Sequence, residues 1–175
     1  MQDVTKDRDK YIGGSDIAAI LGISKFKTRW QLLKEKAGIE YSDFTGNAYT
    51  EYGNVMEDKI RQCVSIIENT EFIEDKVIEG DMRYHADGVS HYKQTVLEIK
   101  TTSTIHEDVD EYDYYLCQLL TGMEMYGYEN GILAVYERPE DFSEVFDKGR
   151  MTMYKVKLSD YTMWLEYIHS EIDRF

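Results

Sequence analysis

The spacing of hydrophobic and polar residues divides the chain into predicted helices and strands. Apolar residues recur every three or four positions in the predicted helices, which cover residues 16–21, 28–37, 48–67, 114–126 and 160–175. Alternating or continuous apolar runs predict strands at residues 71–79, 84–89, 96–102, 131–136 and 151–157. This order of elements predicts an α/β fold in which a central mixed β-sheet is flanked by helices.

Three of the predicted helices carry further local signals. Residues 28–31 (TRWQ) resemble a capping box at the start of the second helix. The core face of the longest helix is marked by four apolar residues at helical spacing: Met56, Ile60, Val64 and Ile67. Ser15 follows two glycines and is of a residue type that favours the N-cap of the first helix. The exposed amide groups at that helix start could bind an anionic phosphate, or the segment could be an ordinary capped helix.

The second and third predicted strands form a β-hairpin, because residues 91–94 between them have the composition of a turn. Side chains on a strand alternate between its two faces. Leu97 and Ile99 are therefore expected to face the core, and Glu98 and Lys100 the opposite face. A shift of one residue would bury the two charges, so we expect this register to be strongly specified.

This hairpin predicts a site for a divalent cation. Asp87 on the preceding strand can lie beside Glu98, so that two carboxylates and the Lys100 ammonium converge. Mg²⁺ prefers oxygen ligands and binds through one or two carboxylates, to which the Ile99 carbonyl could add a third oxygen. Lys100 could then orient the attacking water and offset charge in the transition state. Metal-dependent phosphodiester hydrolysis is the predicted chemistry; the alternative is an ion pair on a half-exposed strand.

Two further residues are ambiguous when read from the pattern alone. Glu57 lies one position from the apolar stripe of the longest helix, which by itself predicts a carboxylate on the helix surface. Gln118 is an uncharged amide within an apolar helix. It could contact a substrate, since a buried amide needs partners, or it could face solvent.

The composition favours a single globular domain over residues 1–175. The chain is 42% hydrophobic, enough for one core. Its two cysteines, Cys63 and Cys117, are too few for a disulfide framework or a cysteine-rich metal site, and the four histidines show no ligand spacing. Neither a signal peptide nor a long apolar run is recognised, so we expect a cytoplasmic protein.

The net charge of −14 is unlike that of a general nucleic-acid binder. The charge is unevenly distributed, however. Residues 1–40 hold eight Lys/Arg against six Asp/Glu, whereas residues 105–148 hold two against twelve. If the protein binds DNA, we expect the N-terminal part to meet it and the acidic 105–148 segment to face away.

Five motifs carry a resemblance to the YqaJ-like viral recombinases, which belong with phage lambda exonuclease to the PD-(D/E)XK nuclease superfamily. They stand in the order found in that family and cover residues 11–22 (YIGGSDIAAILG), 53–57 (GNVME), 85–88 (HADG), 97–102 (LEIKTT) and 115–118 (YLCQ). The resemblance extends over about residues 8–136. It implies a restriction-endonuclease-like core.

The resemblance also implies roles for individual residues. Asp87 and Glu98 resemble the metal ligands, helped by the Ile99 carbonyl, and Lys100 resembles the catalytic lysine. Glu57 resembles the helix-borne acid of the family, which lies near the metals and bridges to a second ion. The implied cofactor is Mg²⁺ or Mn²⁺, as one or two ions.

The remaining implied roles concern the substrate. Gln118 resembles the active-site glutamine of this group, and Arg8 and Ser15 resemble a pocket for a 5′-terminal phosphate. Arginine suits that role because its planar fork matches a phosphate. The implied function is a 5′→3′ exonuclease on double-stranded DNA ends, with a single-strand annealing protein as partner and a homotrimer as assembly.

Two alternatives stay open at the level of sequence. An endonuclease of the same superfamily would share the metal site and would not need the Arg8–Ser15 pocket. An acidic protein that binds a partner or mimics DNA could use an inherited fold, because fold does not determine function.

Overall fold

The computed structural model describes residues 9–40 and 46–175, which contain one six-stranded mixed β-sheet. The strands, in chain order, are β1 (Ile12–Gly13), β2 (Ile73–Glu79), β3 (Met82–Ser90), β4 (Thr95–Thr102), β5 (Asn130–Glu137) and β6 (Met151–Lys157). The helices are α1 (Ile17–Ile20), α2 (Arg29–Lys36), α3 (Ala48–Glu68), α4 (Asp113–Tyr126) and α5 (Thr162–Asp173). The predicted α/β fold with a mixed sheet between helices is confirmed.

Strand β4 lies inside the sheet, antiparallel to β3 and parallel to β5, while β6 runs antiparallel to β5 at one edge. Strand β2 pairs with β3 along the opposite edge of the sheet. Residues 131–136 of β5 are all buried, as expected for an internal strand covered on both faces.

The sheet splits between β3 and β4, and this split positions the candidate site. The two strands pair only from Ser90 opposite Thr95 to Gly88 opposite Leu97. Further along the same edge of β3, strand β1 pairs in parallel with residues 82 and 83. Residues 84–87 therefore lie between two different partner strands, beside a gap in the sheet.

Strand β3 also carries an irregularity at this point. Val89 lies opposite Ile73 of β2, whereas Ala86 lies opposite Asp75, so three steps on β3 match two on β2. Such a β-bulge bends a strand and redirects a side chain. Here the extra residue falls at Asp87 and Gly88, where the ladder to β4 ends.

Each face of the sheet is covered by a different helix. Helix α3 packs its buried side chains against Leu97 and Ile99 of β4. Helix α4 packs Leu116, Leu119, Leu120 and Met123 against the face that contains Tyr84 and Val96. The expectation that the Glu98 face lies away from the core was therefore wrong, because α4 covers it and Glu98 is 0% exposed.

The structure confirms one of the local helix signals and contradicts two others. The capping box of α2 is present, with Thr28 and Gln31 bonding each other's backbone amides. Ser15 is not an N-cap: the segment begins with a short 3₁₀ turn, and the Asp16 carboxylate accepts from Gly13 N at 2.9 Å. Ile67 is 41% exposed, since the core face of α3 ends at Val64.

Within the described residues, no helix has both the length and the apolar character needed to cross a membrane.

Candidate active site

Glu98 is the buried centre of the candidate site. Its Oε1 lies 2.5 Å from Lys100 Nζ, and its Oε2 accepts a hydrogen bond of 2.6 Å from the Tyr84 hydroxyl. Burial raises the pKa of Glu98 to about 7, the Lys100 ammonium opposes the rise, and the Asp87 carboxylate adds to it. A carboxylate in such surroundings gains strongly from any further positive charge.

Asp87 lies in the gap beside β4. Its Oδ2 accepts a hydrogen bond of 2.7 Å from Ile99 N, so the side chain takes the place of a strand partner where β3 has turned away. Burial raises the pKa of Asp87, while Lys100 and the Ile99 amide lower it. This hydrogen bond holds Asp87 next to Ile99, the residue that follows Glu98.

Lys100 completes the charged set. Its side chain is 23% exposed, and its ammonium lies 5.7 Å from the centre of the Tyr115 ring. Burial opposes the charge, but Glu98 and Asp87 together raise the pKa of Lys100 above its ordinary value. The lysine is therefore charged throughout the physiological pH range, and the structure brings together the three residues that the sequence predicted.

Glu57 approaches this set from α3 and is held by a residue that the sequence analysis missed. Arg61, one turn further along α3, donates to Glu57 Oε1 at 2.7 Å and to the Asp87 carbonyl at 2.5 Å. Burial raises the pKa of Glu57 to about 7, with Asp87 adding to the rise and Arg61 opposing it. The i, i+4 spacing of Glu57 and Arg61 is the signal that could have identified this pair.

Tyr84 was also missed, and three distant segments hold it in place. A Cβ atom on Gly14 would lie 2.6 Å from the Tyr84 ring, and one on Gly122 of α4 would lie 2.2 Å from it. The ring therefore fits only because both neighbours are glycines. Each glycine looks unremarkable in sequence, since neither lies in a turn that requires one.

Gln118 and Ser15 line a cavity of about 130 Å³, together with Asp16. Gly13, Gly14, Arg83 and His85 are among the other residues that line it. The cavity opens beside Tyr84, so it adjoins the Glu98 site through that ring. Arg8, the other residue predicted for a phosphate pocket, lies outside the described residues.

The donor atoms fit a hard cation that keeps several water ligands. Among the described residues, no group of three or more His, Cys, Asp or Glu side chains is placed to hold a metal ion. Asp87 and Glu98 offer two carboxylates, which is the number that Mg²⁺ commonly takes from protein. The Ile99 amide points to Asp87, and because N–H and C=O of one strand residue face the same edge, the Ile99 carbonyl is directed toward the same gap.

The sequence model of the YqaJ-like viral recombinase domain matches residues 4–129, a range that includes all of these residues. The chain belongs to this family. A Bacillus subtilis (strain 168) protein, the uncharacterized protein YqaJ, is 29% identical over an alignment of 123 residues, which covers 65% of this chain and 38% of that protein. The chain thus spans little more than a third of the length of this YqaJ relative.

Solved structures of exonucleases share the fold of this YqaJ-like domain. An alkaline exonuclease from Laribacter hongkongensis superimposes with a TM-score of 0.69 and 17% identity, covering 95% of this chain and 86% of the other. The same enzyme has been solved in complex with dAMP. A phage-related exonuclease from Haemophilus somnus 129PT gives a TM-score of 0.67 with 13% identity, over 93% of this chain and 90% of the other.

Proposed function

We propose that this YqaJ-like domain is a metal-dependent deoxyribonuclease that degrades double-stranded DNA from its ends in the 5′→3′ direction. The observation that carries the proposal is the convergence of Asp87, Glu98 and Lys100 at the split in the sheet. Phosphodiester hydrolysis requires ligands for a cation and a fixed positive charge. The two carboxylates supply the ligands, and the charged lysine supplies the positive charge.

Asp87, Glu98 and the Ile99 carbonyl would hold Mg²⁺ or Mn²⁺, and Glu57 would contribute to a second ion. When bound, such an ion polarises a phosphate and lowers the pKa of a water ligand. Burial raises the pKa of Glu98 and of Glu57 to about 7, so a bound cation would also favour the ionised forms of both carboxylates.

The side chains around the metal site orient the carboxylates and neutralise charge on the phosphate. Lys100, fixed by Glu98 at 2.5 Å, presents its ammonium where negative charge develops on the phosphate. Tyr84 fixes the rotamer of Glu98 through the other carboxylate oxygen. Arg61 ties Glu57 to the backbone of Asp87, which maintains the distance between helix α3 and the gap.

The cavity that contains Ser15 and Gln118 is proposed as the site for the 5′-terminal phosphate, together with Arg8. Arg83 is among the cavity-lining residues and adds a second guanidinium there. A site that recognises a terminal phosphate favours cleavage from an end. A single-strand annealing protein and two further copies of the chain are the partners that this activity would use.

The experiment that tests the proposal compares a linear 5′-phosphorylated duplex with a covalently closed circle of the same sequence, in Mg²⁺. Release of nucleotides from the linear DNA alone is the expected result. Cleavage of the circle at a similar rate would assign an endonuclease with the same metal site. Absence of hydrolysis from both substrates, in Mg²⁺ and in Mn²⁺, would support the non-catalytic alternative.

A further inference from the structure

A second cavity, of about 790 Å³, lies beyond the carboxyl ends of β4 and β5. Its walls come from the start of α3, from the residue after β4 and from the segment that follows β5. These walls include Tyr49, Ser103, Arg138 and Phe142, and Arg150 joins them from the turn before β6. None of them belongs to the charged set around Glu98.

Arg138 is held in this cavity by two aromatic rings. Its guanidinium carbon lies 4.4 Å from the centre of the Tyr49 ring and 5.1 Å from that of Phe142. The two rings also contact each other, with centres 5.5 Å apart. Cation–π contacts of this kind hold a guanidinium in place without using its N–H groups as hydrogen-bond donors to a protein acceptor.

The guanidinium N–H groups of Arg138 have no partner within the described residues. The side chains of Arg138 and Arg150 form neither an ion pair nor a hydrogen bond in this part of the chain, although the protein has 34 Asp and Glu residues. Glu137, Glu140 and Asp141 line the same cavity and still leave both arginines unpaired. The donors of both arginines are therefore available to an external acceptor.

The backbone at Phe142 is in an unusual conformation. Phe142 has a φ of +54°, a left-handed value that is uncommon for a bulky residue, and its amide closes a turn onto the Pro139 carbonyl at 3.1 Å. Strained backbone persists where surrounding contacts enforce it, and such positions cluster at binding sites. The strain here places the Phe142 ring against both Tyr49 and Tyr52.

The cavity lies close to the candidate active site. Arg138 N donates to the Thr102 carbonyl at 2.7 Å, which fixes the arginine at the end of the strand that carries Lys100. From Lys100 to Ser103 the chain advances about 10 Å at the usual rise of a strand. The cavity therefore lies within reach of a DNA strand that is bound at the Lys100 site.

We infer that this cavity is a phosphodiester subsite for the DNA substrate. Arg138, packed against Tyr49 and Phe142, binds a backbone phosphate of the DNA near the scissile bond, with Arg150 and the Ser103 hydroxyl as further donors. The inference rests on the proposed function, since it assigns a second contact to the same substrate. It also places a DNA contact within the acidic segment 105–148, which the charge distribution alone predicted would face away from DNA.

The test measures the binding of a 3′-fluorescein-labelled, 5′-phosphorylated duplex to the intact chain in EDTA, by fluorescence anisotropy at several salt concentrations. Each phosphate contact contributes about 0.9 to the slope of log affinity against log salt concentration. Arg138→Ala is expected to weaken binding about tenfold at low salt and to reduce the slope by about one. Arg150→Ala is expected to act in the same direction and provides a second, independent variant.

Two control variants separate the charge at this site from charge in general. Arg174→Ala removes an arginine that is 69% exposed at the end of α5 and pairs with Glu171; it is expected to leave the slope unchanged. Arg138→Lys keeps the charge and loses the planar fork, so it is expected to retain the slope and lose part of the affinity.

The inference is overturned if Arg138→Ala and Arg150→Ala both keep the parent slope, or if the parent does not bind the duplex. Hydrolysis is measured on the same proteins in Mg²⁺, which separates the two proposals. A parent that binds through Arg138 and releases no nucleotide supports the subsite and contradicts the nuclease. A parent that degrades DNA with slopes independent of both arginines contradicts the subsite alone.

Discussion

The Tyr84 hydroxyl donates a hydrogen bond of 2.6 Å to the Glu98 carboxylate, and both groups are buried between helix α4 and the sheet. This bond fixes one oxygen of Glu98 while Lys100 lies against the other. The orientation of the central carboxylate thus depends on a tyrosine whose own position depends on two distant glycines.

Tyr84→Phe is expected to weaken metal binding without unfolding the protein, because the ring stays and only the donor is lost. The hydroxyl lowers the pKa of Glu98, so its removal makes ionisation harder. Partners of metal ligands typically contribute a factor of about 10 to 100 in affinity. The Mg²⁺ concentration that gives half-maximal hydrolysis should therefore rise by about that factor.

The matched control for this prediction is Tyr128→Phe, which removes a hydroxyl that lies 2.9 Å from His91 Nδ1 near the tip of the hairpin. It should leave the Mg²⁺ dependence unchanged. Identical Mg²⁺ curves for Tyr84→Phe and the parent would show that the hydroxyl does not position Glu98.

Gly122→Ala is expected to lower the free energy of unfolding by about 1–3 kcal/mol, the usual range for overpacking a core. The new methyl group would lie 2.2 Å from Cζ of Tyr84, a fully buried ring that also lies against Gly14. Gly53→Ala in α3 is the control, because its Cβ would come no closer than 3.5 Å to Thr101. That variant should gain up to about 1 kcal/mol from helix propensity. Urea denaturation measures the free energy of unfolding of both variants. Equal changes in the two would contradict the close packing of the Tyr84 ring against Gly122.

The stability of the metal-free protein should fall as pH rises through the range where Glu98 titrates. In the folded state the pKa of Glu98 is raised from 4.5 to about 7, so the folded state binds the proton more tightly than the unfolded state does. This contribution is fully present below about pH 4.5 and is lost as pH rises to about 7. Its size is on the order of a few kcal/mol.

Thermal unfolding in EDTA, compared between the parent and Glu98→Gln, isolates this contribution. The stability difference between the two proteins should shift against the parent between about pH 4.5 and 7 and stay level above that. Glu140→Gln, at an exposed carboxyl, should follow the parent. A difference that is constant over the whole range would mean that Glu98 titrates normally.

Arg8→Ala is expected to remove the preference for 5′-phosphorylated ends, and Ser15→Ala to reduce it, since both are proposed to contact the terminal phosphate. The measurement compares initial rates on duplexes with a 5′-phosphate and with a 5′-hydroxyl. Lys157→Ala, which removes an exposed cation on β6, controls for loss of charge. If Arg8→Ala cuts both kinds of end at the parent rates, the assignment of the phosphate pocket is wrong.

Much of the fold could be predicted because its signals are local. Helical spacing located α3, the capping box located the start of α2, and the turn at residues 91–94 located the hairpin. The convergence of Asp87, Glu98 and Lys100 also followed from strand alternation and a short turn, since both depend on few residues.

The burial of Glu98 could not be predicted, because it depends on which helix covers each face of the sheet. Alternation assigned Glu98 to one face and Leu97 to the other, but it carries no information on whether the Glu98 face meets water or α4. The bulge at Asp87 and Gly88 likewise depends on the competition between β1 and β4 for one edge of β3.

Contacts between segments that are distant in the sequence could not be predicted either. Tyr49 and Arg138 are 89 positions apart in the sequence and meet only because α3 begins beside the end of β5. No local pattern marks either residue as a partner of the other.

The most direct test of the nuclease centre is the rate of nucleotide release from a linear 5′-phosphorylated duplex in Mg²⁺, for Lys100→Ala and Glu98→Ala beside the parent. Lys155→Ala serves as the control, since that lysine is 70% exposed and pairs with Glu68 away from the site. With folding verified by thermal unfolding, both site variants should lose hydrolysis while Lys155→Ala retains it. Parent-like turnover in either Lys100→Ala or Glu98→Ala would contradict the assignment of this centre.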